Sequence, residues 1–153
     1  MKKLLLAGLL SIGIVFAYNP LEGIKAQKEA ALKIVKNHFV DVKTARKWIK
    51  EGVKVIDVRE IEEFLAGHIP GAKLIPRGVL YAAVKKEKIT PNQKYIIVCR
   101  TGHRALLAAA TLKKWFGFNK VYVLKGGMRA WIKEKGVVIN AMKLGPVRME
   151  LLK

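Results

Sequence analysis

Cysteine is almost missing from this chain: one residue, Cys99, stands among 153. An internal disulfide is therefore excluded, and the fold gains nothing from an oxidising compartment. Acidic residues are scarce as well, 11 against 30 lysines and arginines, for a formal net charge of +19. Such an excess draws in anions and raises their encounter rates. The lysines are scattered and no nucleic-acid-binding motif accompanies them, so a nucleic-acid partner is not expected. Small anions or an anionic membrane surface fit better, beside the plainer reading of a solvated lysine-rich surface. One cysteine and three histidines offer no convincing zinc set, and neither a metal nor another cofactor is expected. The length allows one domain with a proper core and little room for a second.

Long apolar runs are absent but for one. Lys2 and Lys3 precede an uncharged stretch from Leu4 to Phe16, and Val15-Phe16-Ala17 offers small residues three and one positions before a cut. This is the outline of a secretory signal peptide over 1–17, cleaved after Ala17. As a retained anchor the run would be short, since about 20 residues are needed to cross a bilayer. The expectation is an exported, periplasmic protein whose charge, without Lys2 and Lys3, is +17. No cysteine lies at the cut to carry a lipid. An exported lone thiol with no resolving partner points to a thiol that is used, or held as a persulfide.

What the chain does have is concentrated around that cysteine. Tyr95-Ile96-Ile97-Val98 reads as a buried strand of a parallel sheet. Ala105 to Phe116, rich in Ala and Leu and followed by Gly117, reads as a helix with a glycine just past its end. Between them lies Cys99-Arg100-Thr101-Gly102-His103-Arg104, a tight loop at the carboxyl end of a strand, where open α/β sheets place ligands. Backbone N–H groups of such a loop, the start of the helix and two arginines all favour a thiolate. A buried, inert cysteine is the alternative. A core cysteine, however, does not usually open a Gly-containing loop flanked by arginines.

The rest alternates helices and strands, an α/β pattern. Tyr18 to Asn37 forms an extension (18–38) in which Leu21, Ile24, Lys28, Leu32 and Val35 suggest a loosely amphipathic basic helix covering the domain. Asp41 is placed to cap a helix from Val42 to Lys50, with Ala45, Trp48 and Ile49 facing inward. Further strands are expected at Val53 to Val58, Ala72 to Ile75 and Val121 to Leu124. Helices are expected at Ile61 to Leu65, Gly78 to Lys86 and Met128 to Lys135, the last entered through Gly126-Gly127. Asp57 and Arg59 end a strand on the same sheet edge as Cys99. Arg77 and Lys125 also follow strand ends and are placed to add positive charge near the site. Residues 140–153 carry no readable purpose.

Four stretches together resemble the single-domain rhodaneses, a sulfurtransferase-type family. They are Val55-Ile56-Asp57-Val58-Arg59-Glu60, Phe64-Leu65-Ala66-Gly67-His68-Ile69-Pro70-Gly71-Ala72, the loop Cys99 to Arg104, and Leu124-Lys125-Gly126-Gly127-Met128-Arg129-Ala130-Trp131. The resemblance covers about 39–139. It implies a three-layer sandwich with a central, mostly parallel sheet of about five strands and helices on both faces. It also implies Cys99 as the catalytic residue, with Arg100, Thr101, Gly102, His103 and Arg104 as the loop that binds substrate. Asp57 and Arg59 become a supporting ion pair that holds loops in place, and His68 a structural histidine. Related phosphatases separate cysteine and arginine by five residues; here four lie between Cys99 and Arg104, so a phosphatase or arsenate-reductase reading is disfavoured. His103 and Ala105 stand where many members carry other polar residues, often a serine at the second, which bears on donor preference.

The expected chemistry is double displacement. The Cys99 thiolate takes sulfur from a small anionic donor such as thiosulfate, and the persulfide passes it to a thiol or cyanide-like acceptor. Amides of the loop would hold the terminal sulfur, and the two arginines would position the donor. The competing readings are a persulfide carrier that hands sulfur to an acceptor protein, and an inert interaction domain. Membrane contact is expected only through the signal segment or the basic surface.

Overall fold

The structure, a computed structural model, describes residues 19–140. The signal-peptide reading for 1–17 and the tail after 140 lie outside the described residues.

Five short strands form one parallel sheet: β1 (Phe39–Val40), β2 (Lys54–Asp57), β3 (Lys73–Leu74), β4 (Tyr95–Val98) and β5 (Val121–Leu124). Their spatial order is β1-β5-β4-β2-β3, and every pair is parallel. The central strand is β4, and all four of its residues are buried, as expected for a strand covered on both faces. Its side chains alternate. Tyr95 and Ile97 join a core with Ala108, Leu112 and Phe118, whereas Ile96 and Val98 join a second core with Val42, Met128 and Trp131.

Helices α1 (Pro20–Val35), α4 (Leu80–Lys85) and α5 (His103–Phe116) cover the first face. Helices α2 (Val42–Lys50) and α6 (Gly127–Lys133) cover the second. The expected three layers are present. A sixth helix, α3 (Ile61–Ala66), follows β2. No helix among the described residues is long and apolar enough to cross a membrane.

Local signals act as anticipated in several places. The Asp41 carboxylate accepts the Thr44 N–H at 2.7 Å and caps α2. Gly117 takes φ +72° just past α5. Other expectations are corrected. The segment read as one helix from Gly78 to Lys86 is a 3-10 turn, Arg77–Val79, followed by α4. The two-residue strand β1 is too short to leave a periodic signal, and it pairs only along one side, with β5.

The face of α1 differs most. The larger apolar residues Leu21, Ile24 and Leu32 are 73%, 50% and 40% exposed, and Ala31 and Val35 are the buried ones. The reason is where the helix meets the core. Every residue from Pro20 to Ala30 is exposed, small and large alike, and only Ala31 and Val35 enter the core formed with Ala105, Ala108 and Ala109 of α5. The extension thus covers the domain, but only through Ala31 and its last turn.

Val35 is fully buried on this face. Val35→Ala should cost about 2 kcal/mol of stability, read as a lower urea midpoint with an unchanged slope. A loss below about 0.5 kcal/mol would mean that α1 unfolds separately from the rest.

Candidate active site

From β2 the chain crosses to β3 on one side, and from β4 it crosses to β5 on the other. The crevice between the carboxyl ends of β2 and β4 is therefore the switch point at which such sheets bind ligands. Asp57 ends β2 and Cys99 follows β4, so the sequence-predicted residues meet there.

Cys99 is buried, yet its sulfur is not in an apolar setting. Sγ accepts the N–H of Gly102 at 3.1 Å and of Ala105 at 3.4 Å. Ala105 is the third residue of α5, and its amide is one of the first-turn donors with no partner inside the helix. Gly102 takes φ +108°, which a side chain would strain, and this turns the loop back over the sulfur. Gly102 lies within the loop singled out in the sequence, and Ala105 is one residue beyond it. Arg100 and Thr101 are exposed; Gly102, His103 and Arg104 are half-buried.

The loop is clamped from behind by the start of α6. The Cys99 carbonyl accepts the Met128 N–H at 2.8 Å and the Arg100 carbonyl accepts the Arg129 N–H at 3.1 Å. Gly127 lies at this junction with φ +58°. A Cβ there would collide with the Cys99 carbonyl oxygen and stand 2.8 Å from the Arg100 carbonyl group. The pair Gly126-Gly127, legible in the sequence only as a tight turn, is thus the seat of the loop.

Two ion pairs brace the other side. Arg59 Nε reaches both Asp57 carboxylate oxygens at 2.9 and 3.0 Å, and its Nη2 reaches Oδ2 at 2.6 Å. The same Nη2 donates to the Gly67 carbonyl at 2.8 Å, tying the end of β2 to the end of α3. Both side chains are almost wholly buried, and the pair holds neighbouring loops as the sequence implied. The second pair was not foreseen. Arg104 grips Glu63 with both guanidinium arms, Nη1 to Oε2 at 2.6 Å and Nη2 to Oε1 at 2.7 Å. Glu63 also accepts the Glu60 N–H at 3.3 Å. The Arg104 bonds hold the Glu63 carboxyl below its ordinary value of 4.5, against the opposing effect of burial. Arg104 is raised in turn, first by the Glu63 bonds.

Arg104 is therefore anchored to α3, and its charge is matched by a carboxylate. Of the two loop arginines expected to position a donor, Arg100 is the exposed one. His68 stacks on Phe64, with ring centroids 3.7 Å apart, and its Nδ1 lies 2.8 Å from the Phe64 carbonyl. Trp131 is in the core and donates to the Val137 carbonyl at 2.9 Å. Arg77 opens on a groove between α1 and α5, away from the loop. A cavity of about 450 Å³ lies against the loop, lined by Thr101, Gly102 and His103 together with Leu106, Lys125 and residues of α1.

Residues 40–134 match the family model of the rhodanese-like domain. Over 81 residues the chain is 41% identical to a putative sulfur carrier protein, YrkF, of Bacillus subtilis, a match covering 53% of this chain and 42% of that one. It is 36% identical over 83 residues to the thiosulfate sulfurtransferase GlpE of Pseudoalteromonas translucida, covering 54% of this chain and 75% of that protein. The chain spans less than half the length of the first curated relatives it matches. Among solved structures, the human single-domain sulfurtransferase TSTD1 is 27% identical with a TM-score of 0.58, over 63% of this chain and 96% of that one. A sulfur-bearing loop at the switch point of a five-stranded parallel sheet and a family match across more than half of the chain agree: it belongs to the rhodanese-like domain family of sulfurtransferases and sulfur carriers.

Proposed function

We propose that this chain is an exported sulfurtransferase that moves sulfane sulfur from a small anionic donor, such as thiosulfate, through a Cys99 persulfide to a nucleophilic acceptor. The observation that carries this reading is the pair of amide N–H groups aimed at the Cys99 sulfur. Two donors facing one sulfur stabilise negative charge on it as the attacking thiolate and again as the leaving group when the acceptor takes the outer sulfur. The four residues between Cys99 and Arg104 make a ring suited to a single sulfur rather than to a tetrahedral phosphate. Export rests on the apolar run from Leu4 to Phe16 behind Lys2 and Lys3, and a periplasmic site of action follows from it.

The steps balance without a redox partner. The Cys99 thiolate attacks the outer sulfur of thiosulfate, the S–S bond breaks, and sulfite leaves with the electron pair. The persulfide is then attacked at its outer sulfur by cyanide or a thiolate, and the pair returns to Cys99. Arg100 and Lys125, both exposed at this edge, draw the donor in. Arg104 and Glu63 hold the first turn of α5, and with it the Ala105 amide, in place.

A second reading has support in the likeness to a protein described as a putative sulfur carrier. In that case Cys99 loads once and discharges to a dedicated acceptor protein, with little turnover of its own.

Incubation with thiosulfate should add the mass of one sulfur atom to the protein and none to Cys99→Ala. Steady turnover with cyanide supports the enzyme, stoichiometric loading with negligible turnover supports the carrier, and no mass gain overturns both. The Glu63–Arg104 pair has an acid signature. Glu63 is lowered in the folded state, so its contribution is present above pH 4.5 and lost as the pH falls through the folded value. The pair is about one-third exposed, so its worth is at most about 1 kcal/mol. Glu63→Gln should lower the melting temperature at neutral pH, and the gap from the unmodified protein should close under acid conditions. A gap that persists at low pH would mean that the bond does not depend on the Glu63 charge.

A further inference from the structure

The cavity beside the active loop has a wall that the rhodanese-like match does not include. The match begins at residue 40, whereas Lys28 and Leu32 of α1 and Phe39 line the cavity opposite Thr101 and Gly102. Its floor is apolar, from Leu32, Phe39, Leu106 and Val123, and two cations stand among its lining residues, Lys28 and Lys125. Lys125 is shared, since its charge also acts on the Asp41 carboxylate. Lys28 makes no hydrogen bond or ion pair among the described residues. The Gly102 that lines this cavity is the residue whose N–H meets the Cys99 sulfur. The cavity therefore adjoins the loop that holds the sulfur.

We propose that α1 completes an acceptor subsite, and that this cavity selects thiols carrying a carboxylate on an apolar chain, with the carboxylate at Lys28 and the chain on Leu32 and Phe39. The inference rests on the persulfide reading above and names its acceptor. The transfer needs no oxidant. The acceptor thiol loses its proton to solvent, its thiolate attacks the outer sulfur of the Cys99 persulfide, the S–S bond breaks, and the acceptor leaves as a persulfide while Cys99 regains the electron pair. A cation at the rim of an apolar slot favours an anionic acceptor over a neutral one of the same length. Cyanide, two atoms long, has no chain to lay on the floor. The extension then contributes to specificity, and not only to stability through Ala31 and Val35.

The test uses the chain loaded with sulfur and follows discharge by mass, comparing mercaptohexanoate with mercaptohexanol, which share an alkyl chain and differ in charge. The unmodified protein should prefer the carboxylate about threefold to tenfold at low salt, with the preference shrinking as salt is raised. Lys28→Ala should bring the ratio near one, and Lys28→Glu should invert it. Leu32→Ala should slow both alkyl thiols relative to cyanide. As a control for overall charge, Lys50→Glu, at an exposed position on α2, should leave the ratio as it was. Failure to load any sulfur would sink the reading on which this one rests. Normal loading, with no carboxylate preference or with one that survives Lys28→Glu, would overturn the subsite alone.

Discussion

The sulfur of Cys99 lies in the interior, in contact with the core beneath α5, and two amide N–H groups turn toward it. Burial alone would leave that sulfur without a donor; here two backbone dipoles are aimed at it where little water competes with them. That arrangement depends on three supports. Helix α5 must begin at His103 so that the Ala105 amide is left over for the sulfur. Gly102 must adopt a left-handed conformation to bring its own amide round. The α6 start must grip the carbonyls of Cys99 and Arg100 so that the loop cannot open.

The electrostatics of the site run against those of the chain as a whole. In a protein with 30 basic and 11 acidic residues, four of the acids, Asp57, Glu60, Glu62 and Glu63, fall within seven consecutive positions next to the active edge. Two of them fix arginines. Asp57 holds Arg59 against the Gly67 carbonyl, and Glu63 holds Arg104 at the helix start. A freely swinging arginine would place positive charge in many positions, whereas a clamped one keeps the neighbouring amides where they are. Under the proposed sulfur transfer, the attraction for an anionic donor falls to exposed groups such as Arg100 and Lys125.

Much of this was legible in the chain before folding. Strand β4, the loop and α5 announce themselves because an apolar β-branched run, a glycine-containing turn and an alanine-rich helix follow one another directly. The Asp57–Arg59 pair is also local, two residues apart. What escaped notice depends on distance along the chain. Glu63 and Arg104 are 41 positions apart, and no periodicity links them. The cluster of acids in a basic chain was the one available signal. On α1 the apolar stripe does not mark the buried face, because Pro20 to Ala30 all lie outside the core and only Ala31 and Val35 enter it. The seat at Gly127 was hidden for a similar reason, since the sequence shows a glycine but not the carbonyls that crowd it.

The short bridge between His68 and Ile139, with N–H···O distances of 2.9 and 3.0 Å in both directions, fastens the chain just after the family-matched stretch ends. Val138 beside it is buried, as are Ala31 and Val35 at the opposite end. The stretch that the family model matches is therefore shorter than the stretch that shares the packed interior. Anyone transplanting this module pared to residues 40–134 would cut through packed interior at both borders. The boundaries of the family model are thus not the seams of the molecule, which lie beyond Ala31 on one side and Ile139 on the other.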